Sequence, residues 1–347
     1  MKKQAIAAAV AAAFAVPAMA QVTVSGMIEA GYVSRDSEAL KTNTIGAGFF
    51  GTPHVKFTGA EDLGGGLKAG FHLQMDLNGG PSASNNTLNP FANNGATSTN
   101  EHFSVASANI SGGFGRIEIG KFSVAPRDGG GVYRFMGDIG RLASTSAGAS
   151  MNSAAYMNAV QYSTPTISGI SANFYSSQAG KVDTAADPGD ATGYNLTGSV
   201  AGVRFSLGTE QAQTATTAAD SKARKRLDTL AVSYDFGIAR VGIVSATDKS
   251  EATSQVKTDA QGLHLATTQG ATTFGASVTR YKRGASKNDV VALGAKYDLS
   301  KRTNVTATYQ TVKASTTIVD FATRGLLVSG RDNATTNGYG LQVQHNF

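Results

Sequence analysis

Two short patterns in this sequence carry residue types and spacings that could do chemistry. Gly46-Ala47-Gly48-Phe49-Phe50-Gly51 fits the G-x-G-x-x-G spacing that lets a backbone approach a pyrophosphate. That use requires a helix opening on the last Gly, whereas Thr52-Pro53 and a new alternating segment follow. In a chain with 41 Gly the match is a coincidence of composition. The run from Gly115 to Gly120-Lys121 resembles the start of a phosphate loop, but Phe122 stands where Ser or Thr must hold the metal. No G-x-S-x-G elbow occurs, and the five His form no H-x-x-x-H pair. The chain has no Cys, hence no disulfide framework and no Cys-type metal site. Covalent chemistry needs a nucleophile, a base and an orienting group that converge. No such set is legible, so no catalytic residue, cofactor or metal site is expected.

The elements that must position the charged residues are strands. In Leu67–Leu77, Leu67, Ala69, Phe71, Leu73, Met75 and Leu77 share one parity, against Lys68, Gly70, His72, Gln74 and Asp76. A period of two with one apolar face is a strand between two different solvents. Asn337–Phe347 repeats it, with Tyr339, Leu341, Val343 and Phe347 opposite Gly340, Gln342, Gln344 and Asn346. At the other end, Val22, Val24, Ile28, Ala30 and Tyr32 oppose Thr23, Ser25, Met27 and Glu29. In His54–Thr58, Val55 and Phe57 oppose His54, Lys56 and Thr58. Similar segments recur to the end of the chain, giving about sixteen strands, an even number as bacterial barrels require. His54–Thr58 and Arg116–Phe122 are short and must extend into their flanks.

Composition agrees. Met1–Ala20 has Lys2 and Lys3, an Ala-rich run from Ala5 to Val16, then Pro17 and Ala18-Met19-Ala20. This is the pattern of a secretory leader cut after Ala20. The remainder, 21–347, reads as a single barrel domain with no apolar run long enough for a transmembrane helix. Formal charge is +6, and losing Lys2 and Lys3 with the leader leaves +4. No basic run points to nucleic acid. The densest patch, Lys222–Arg226, reads as a solvated loop near anionic lipid headgroups.

Connections alternate in length. Glu61–Gly66, Gly112–Gly113, Pro165–Thr166, Ala201–Gly202, Gly237–Ile238, Gly270 and Ser300–Arg302 are short. Val33–Pro53, Asn78–Glu101, Ser123–Met157, Ser177–Gly193, Gln211–Lys225, Lys249–Ala260 and Lys313–Thr336 are long, and Lys282–Asn288 is modest. In an up-and-down barrel, alternate connections lie on opposite rims, with short periplasmic turns and long extracellular loops. The expected fold is therefore an all-β, antiparallel transmembrane barrel with a water-filled lumen and both termini at the periplasmic rim.

Specific residues also carry a resemblance. They are Val22-Thr23-Val24-Ser25-Gly26; Phe57 to Ala69, through Gly59-Ala60-Glu61-Asp62-Leu63-Gly64-Gly65-Gly66; Gly113-Phe114-Gly115 with Gly120-Lys121; Ala159-Val160-Gln161-Tyr162-Ser163-Thr164-Pro165; and the terminal Phe347. Together they resemble the Gram-negative general porins of the β-proteobacterial and neisserial type. The resemblance implies an outer-membrane homotrimer of sixteen-stranded barrels that passes small hydrophilic solutes and ions without a cofactor. It also implies that loop three, here 123–157, folds into the lumen. Phe347 would be the signal read by the barrel assembly machinery, and the outer wall would meet outer-membrane lipids and lipopolysaccharide. His54, Ser104 and Lys121 stand where the family usually has Arg, which weakens the basic wall.

The candidate constriction combines that loop's Arg127, Asp128, Arg134, Asp138 and Arg141 with a facing wall of His54, Lys56 and His72, counterweighted by Glu29. Lys121 has the outward parity of Ile117 and Ile119, and reaches the lumen only if a bulge breaks the phase. Weak anion selectivity is expected. An outer-membrane barrel enzyme or adhesin is the alternative.

Overall fold

The computed structural model describes residues 21–37, 40–47, 51, 53–77, 103–122, 156–177, 191–214, 223–250, 257–314 and 335–347. The first strands are β1 (Gln21–Ser37), β2 (Leu40–Gly46), β3 (His54–Gly64), β4 (Leu67–Asp76), β5 (Val105–Gly112) and β6 (Gly115–Phe122). Then come β7 (Tyr156–Ser163), β8 (Ile170–Ser177), β9 (Ala191–Val200), β10 (Val203–Thr214), β11 (Ala223–Asp235) and β12 (Arg240–Ser250). The last are β13 (Lys257–Gln269), β14 (Thr272–Arg283), β15 (Ser286–Asp298), β16 (Thr303–Ala314) and β17 (Thr335–Asn346).

Every neighbouring pair is antiparallel, and β1 closes the ring by pairing with β17 on one side and with β2 and β3 on the other. Since β2 and β3 succeed one another along the same edge of β1, the seventeen strands make a closed barrel of sixteen staves. Closure leaves no unpaired edge, the condition for crossing a bilayer with strands.

The facing follows the alternation. In β14, Ser277 and Thr279 are 5% and 0% exposed, while Val278 between them is 51% exposed. Val22, Val24 and Ile28 project outward with Tyr339, Leu341 and Val343, whereas Glu29 and Gln342 are buried on the lumen side. Two outward glycines, Gly59 and Gly198, lie beneath the rings of their cross-strand partners Phe71 and Phe205. An aromatic laid over a strand glycine covers backbone that would otherwise face lipid.

Short turns collect on one rim, as expected. Ala201 and Gly202 both take positive φ, 50° and 81°, the signature of a two-residue hairpin turn whose twist matches its strands. Several expected loops give residues to strands, among them the Lys222–Arg226 patch, of which all but Lys222 belongs to β11, and two connections differ more. Val33–Pro53 is largely strand: β1 and β2 form a hairpin over 31–46 that carries the sheet beyond the apolar band. Lys282–Asn288 contracts to a two-residue turn at Gly284–Ala285 between β14 and β15. β3 does extend into its flank, to Gly64, leaving Gly65–Gly66 as the turn before β4.

Candidate functional site

The lumen wall of β3 to β6 is a lattice of inward positions fixed by register. Met27 stands opposite His54, and His54 opposite Asp76. The next row is Ser25, Lys56, Gln74 and Val105. The next is Thr58, His72, Ser107 and Gly120, followed by Gly70, Asn109, Glu118 and Gln161. The structure thus brings His54, Lys56 and His72 onto one wall, half-buried, and His72 lies within electrostatic reach of both and of Arg116 and Glu118.

The basic wall is interleaved with carboxylates to which no pore role was assigned from sequence. Glu118 is buried, accepts a hydrogen bond from Ser107 Oγ at 2.6 Å and pairs with Arg116 Nη2 at 3.0 Å. Asp76 accepts from Ser104 Oγ at 2.8 Å and from Gln74 Nε2 at 2.8 Å. Ser104, one of the positions lacking the family's Arg, therefore occupies an acid rather than adding charge. The signal for Glu118 was available, because it has the parity opposite Ile117 and Ile119.

Glu29 is also on the lumen side but 2% exposed. Between Gly46, opposite Gly31, and His54, opposite Met27, residues 47–53 stand against only 28–30 of β1. Within that stretch Gly51 lies on the lumen side. A Cβ on Gly51 would lie 2.5 Å from Met27 Cε and 2.9 Å from Glu29 Oε2. Gly51 thus packs against the expected acidic counterweight, so Glu29 contributes to the field from a covered position.

Lys121 lies beside an irregularity. The β6–β7 register shifts between Gly120 and Phe122, where Lys121 alone stands against Met157 and Asn158, so the extra residue is on β7; Lys121 is half-buried and stays in regular register with Ala106 of β5. Gly120 has φ 134° and packs directly against Ala106, a conformation and a closeness that suit glycine. Arg127, Asp128, Arg134, Asp138 and Arg141 lie outside the described residues. Among the described residues no group of three His, Asp or Glu is placed to hold a metal ion.

Phe347 completes the seam. Its N–H donates to Gly26 O at 3.0 Å, and Gly26 N–H donates to Phe347 O at 2.9 Å. Its ring lies over Gly26, where a Cβ would be 2.5 Å from Phe347 Cζ.

A family model described as Gram-negative porin matches residues 7–317. The chain belongs to the Gram-negative porin family. It is 30% identical over 329 residues to outer membrane porin protein 32 of Delftia acidovorans, covering 87% of each chain. To an outer membrane porin protein of Bordetella pertussis it is 27% identical over 376 residues, covering 88% of this porin and 93% of that one. Among solved structures, an anion-selective porin from Comamonas acidovorans superposes with TM-score 0.73 at 21% identity, over 94% of this chain and 100% of that chain. Salmonella typhi OmpF, solved with daunomycin, superposes with TM-score 0.67 at 12% identity over 94% and 98%. A closed barrel with a polar interior, in this family, is an integral outer-membrane channel.

Proposed function

We propose that this porin passes small hydrophilic solutes and ions by passive diffusion with a weak preference for anions, and that it carries out no covalent step. The observation that carries the reading is the wall of His54, Lys56 and His72. Beside it Arg116 and Glu118 neutralise one another as an ion pair, Asp76 is held by Ser104 and Gln74, and Glu29 is covered. Selectivity in such pores follows from diameter and from charged side chains at the narrowest point. Charges within about 8 Å at physiological salt act on a passing ion, and more distant ones are screened. Loop three, 123–157, folds into the lumen and sets Arg127, Arg134, Arg141, Asp128 and Asp138 against this wall, with Lys121 at its entry.

The leader 1–20 is removed on export, and Phe347 is the feature the assembly machinery reads. The working form is a homotrimer, and the half-buried outward face of β4 around Phe71, Leu73 and Met75 suits a packed neighbour. Reversal potential in a planar bilayer under a salt gradient tests the reading. A small chloride-favouring value is expected, and a cation-favouring value overturns it. Liposome swelling limited by solute size, with no lipid or peptide product, separates a pore from a barrel enzyme.

A further inference from the structure

The chain has five histidines, and the register sorts them. His264 lies on the lumen side of β13 but is 1% exposed, closed to passing ions. His345 sits on the outer face at the short-turn rim, with Nδ1 2.9 Å from Thr303 Oγ1. His102 lies outside the described residues. His54 on β3 and His72 on β4 are the two that reach the lumen wall half-buried, where water and ions meet them.

Both flank Lys56. His54 is two residues along β3 from it, about 7 Å. Lys56 stands opposite Gln74, and His72 is two residues along β4 from Gln74, a cross-strand diagonal of about 7–8 Å. Each imidazole therefore lies within about one Debye length of the lysine at physiological salt.

The charges around these rings come from four strands. On β1, Glu29 lies two residues beyond Met27, the partner of His54. β3 supplies Lys56, β4 supplies Asp76 opposite His54, and β6 supplies Arg116 and Glu118 within electrostatic reach of His72. β5, packed against His72, offers only the uncharged Val105, Ser107 and Asn109 on its inward face. Nearer the short-turn rim, Lys68 stands opposite Asp62 and the two offset each other. With neutral rings, Lys56 and Arg116 thus face Glu29, Asp76 and Glu118, one negative charge in excess. A proton on each ring reverses the balance to one positive charge in excess. Imidazole is the side chain whose ordinary titration falls between pH 5 and 8.

We infer that His54 and His72 are specificity-determining residues that make the pore's charge preference a function of pH. With both rings neutral the wall is close to balance and the preference for anions is weak. With both charged the wall is net positive, and small anions, inorganic or carboxylate, pass in stronger preference to cations. His54 stands where the family usually has Arg, so a titratable charge replaces a fixed one at the centre of this wall. The inference rests on the channel reading above and makes its anion preference depend on the protons of the medium.

Each ring charge, acting at about 7 Å in water at physiological salt, changes local ion concentration about 1.5-fold, upward for an anion and downward for a cation. Two rings should therefore raise the chloride-to-potassium permeability ratio about five-fold between pH 8 and pH 5. Reversal potentials of purified barrels in a planar bilayer, under a potassium chloride gradient with equal pH on both sides, measure it. H54Q/H72Q should be flat over this window, and H345Q should keep the wild-type rise. H54R/H72R should hold the acid-side ratio even at pH 8. Heat-modifiable mobility identifies the folded barrel in each preparation. A flat wild-type profile, a wild-type rise retained by H54Q/H72Q, or a low ratio at pH 8 in H54R/H72R overturns the inference. The two readings fail separately. A wild type that favours cations at pH 8 but moves toward chloride with acid contradicts the anion reading and retains this one. A chloride-favouring wild type with no pH dependence does the reverse.

Discussion

Replacing Phe71 by Arg and, separately, His72 by Arg tests the facing of the whole wall through two adjacent residues. β4 begins at Leu67, so Phe71 lies four residues, about 13 Å, along the strand from the short-turn rim. With strands tilted about 45°, that is about 10 Å of height in an apolar band about 25 Å tall, close to its middle. An Arg there costs about 2–4 kcal/mol. Removing the ring from Gly59 adds up to about 1 kcal/mol of lost cross-strand contact. The first figure alone lowers the folded-to-unfolded ratio by about 30- to 700-fold at 1.4 kcal/mol per decade. His72 stands beside Thr58 and Ser107 on the polar lumen wall, and Arg there should shift stability by less than about 1 kcal/mol while changing conductance. Equilibrium urea unfolding in lipid vesicles, followed by the heat-modifiable mobility of the folded barrel, measures both. Normal assembly of Phe71→Arg together with failure of His72→Arg would refute the register, because a one-residue slip exchanges the two faces.

Deleting Phe347, or replacing it by Asp, should lower the cellular yield of assembled barrel several-fold; wild-type surface levels in the deletion would contradict this. Lys56→Glu should shrink the chloride-favouring reversal potential, whereas Glu118→Gln, which frees Arg116 from its partner at 3.0 Å, should enlarge it. Indifference to both would place the filter elsewhere. Asp128→Asn and Asp138→Asn should likewise raise anion preference if loop three lines the pore, and planar-bilayer recordings decide it. Gly120→Ala should cost about 1–3 kcal/mol, since φ 134° suits only glycine and the added methyl meets Ala106; an unchanged urea midpoint would count against that strain.

How much of this was legible follows from where the alternation has physical cause. Within the apolar band each strand must satisfy lipid on one side and water on the other, so β4 and β17 announce both their type and their facing. Beyond the band that constraint lapses. The hairpin of β1 and β2 rises past it, and Ser34, Asp36, Asn43 and Thr44 are polar on both faces, so the segment reads as loop although it is paired. The approach of Gly51 to Glu29 was hidden for another reason: it goes with a length mismatch between two paired edges, visible only once the register is known. The irregularity beside Lys121 lies on the other strand: Lys121 keeps its register with Ala106 of β5, and the surplus residue of the β6–β7 shift is on β7. Glu118 shares the parity of the polar wall, but its engagement by Arg116 and Ser107 depends on contacts across and along strands that one-dimensional periodicity does not encode. Whether loop three meets that wall lies outside the described residues.

The seam between β1 and β17 joins the first described strand to the last, through eleven register pairs from Met27–Asn346 to Ser37–Thr336 and then the reciprocal bonds of Gly26 with Phe347. A polypeptide interrupted anywhere before β17 therefore presents two open edges, on β1 and on the last strand made, each a row of unsatisfied donors and acceptors. Such a fragment cannot become a smaller barrel by simple truncation, because β1 finds its complement only in the terminal segment. Closure thus acts as a proofreading step for completeness: a full-length polypeptide can seal, and a prematurely terminated one stays adhesive and open to proteolysis.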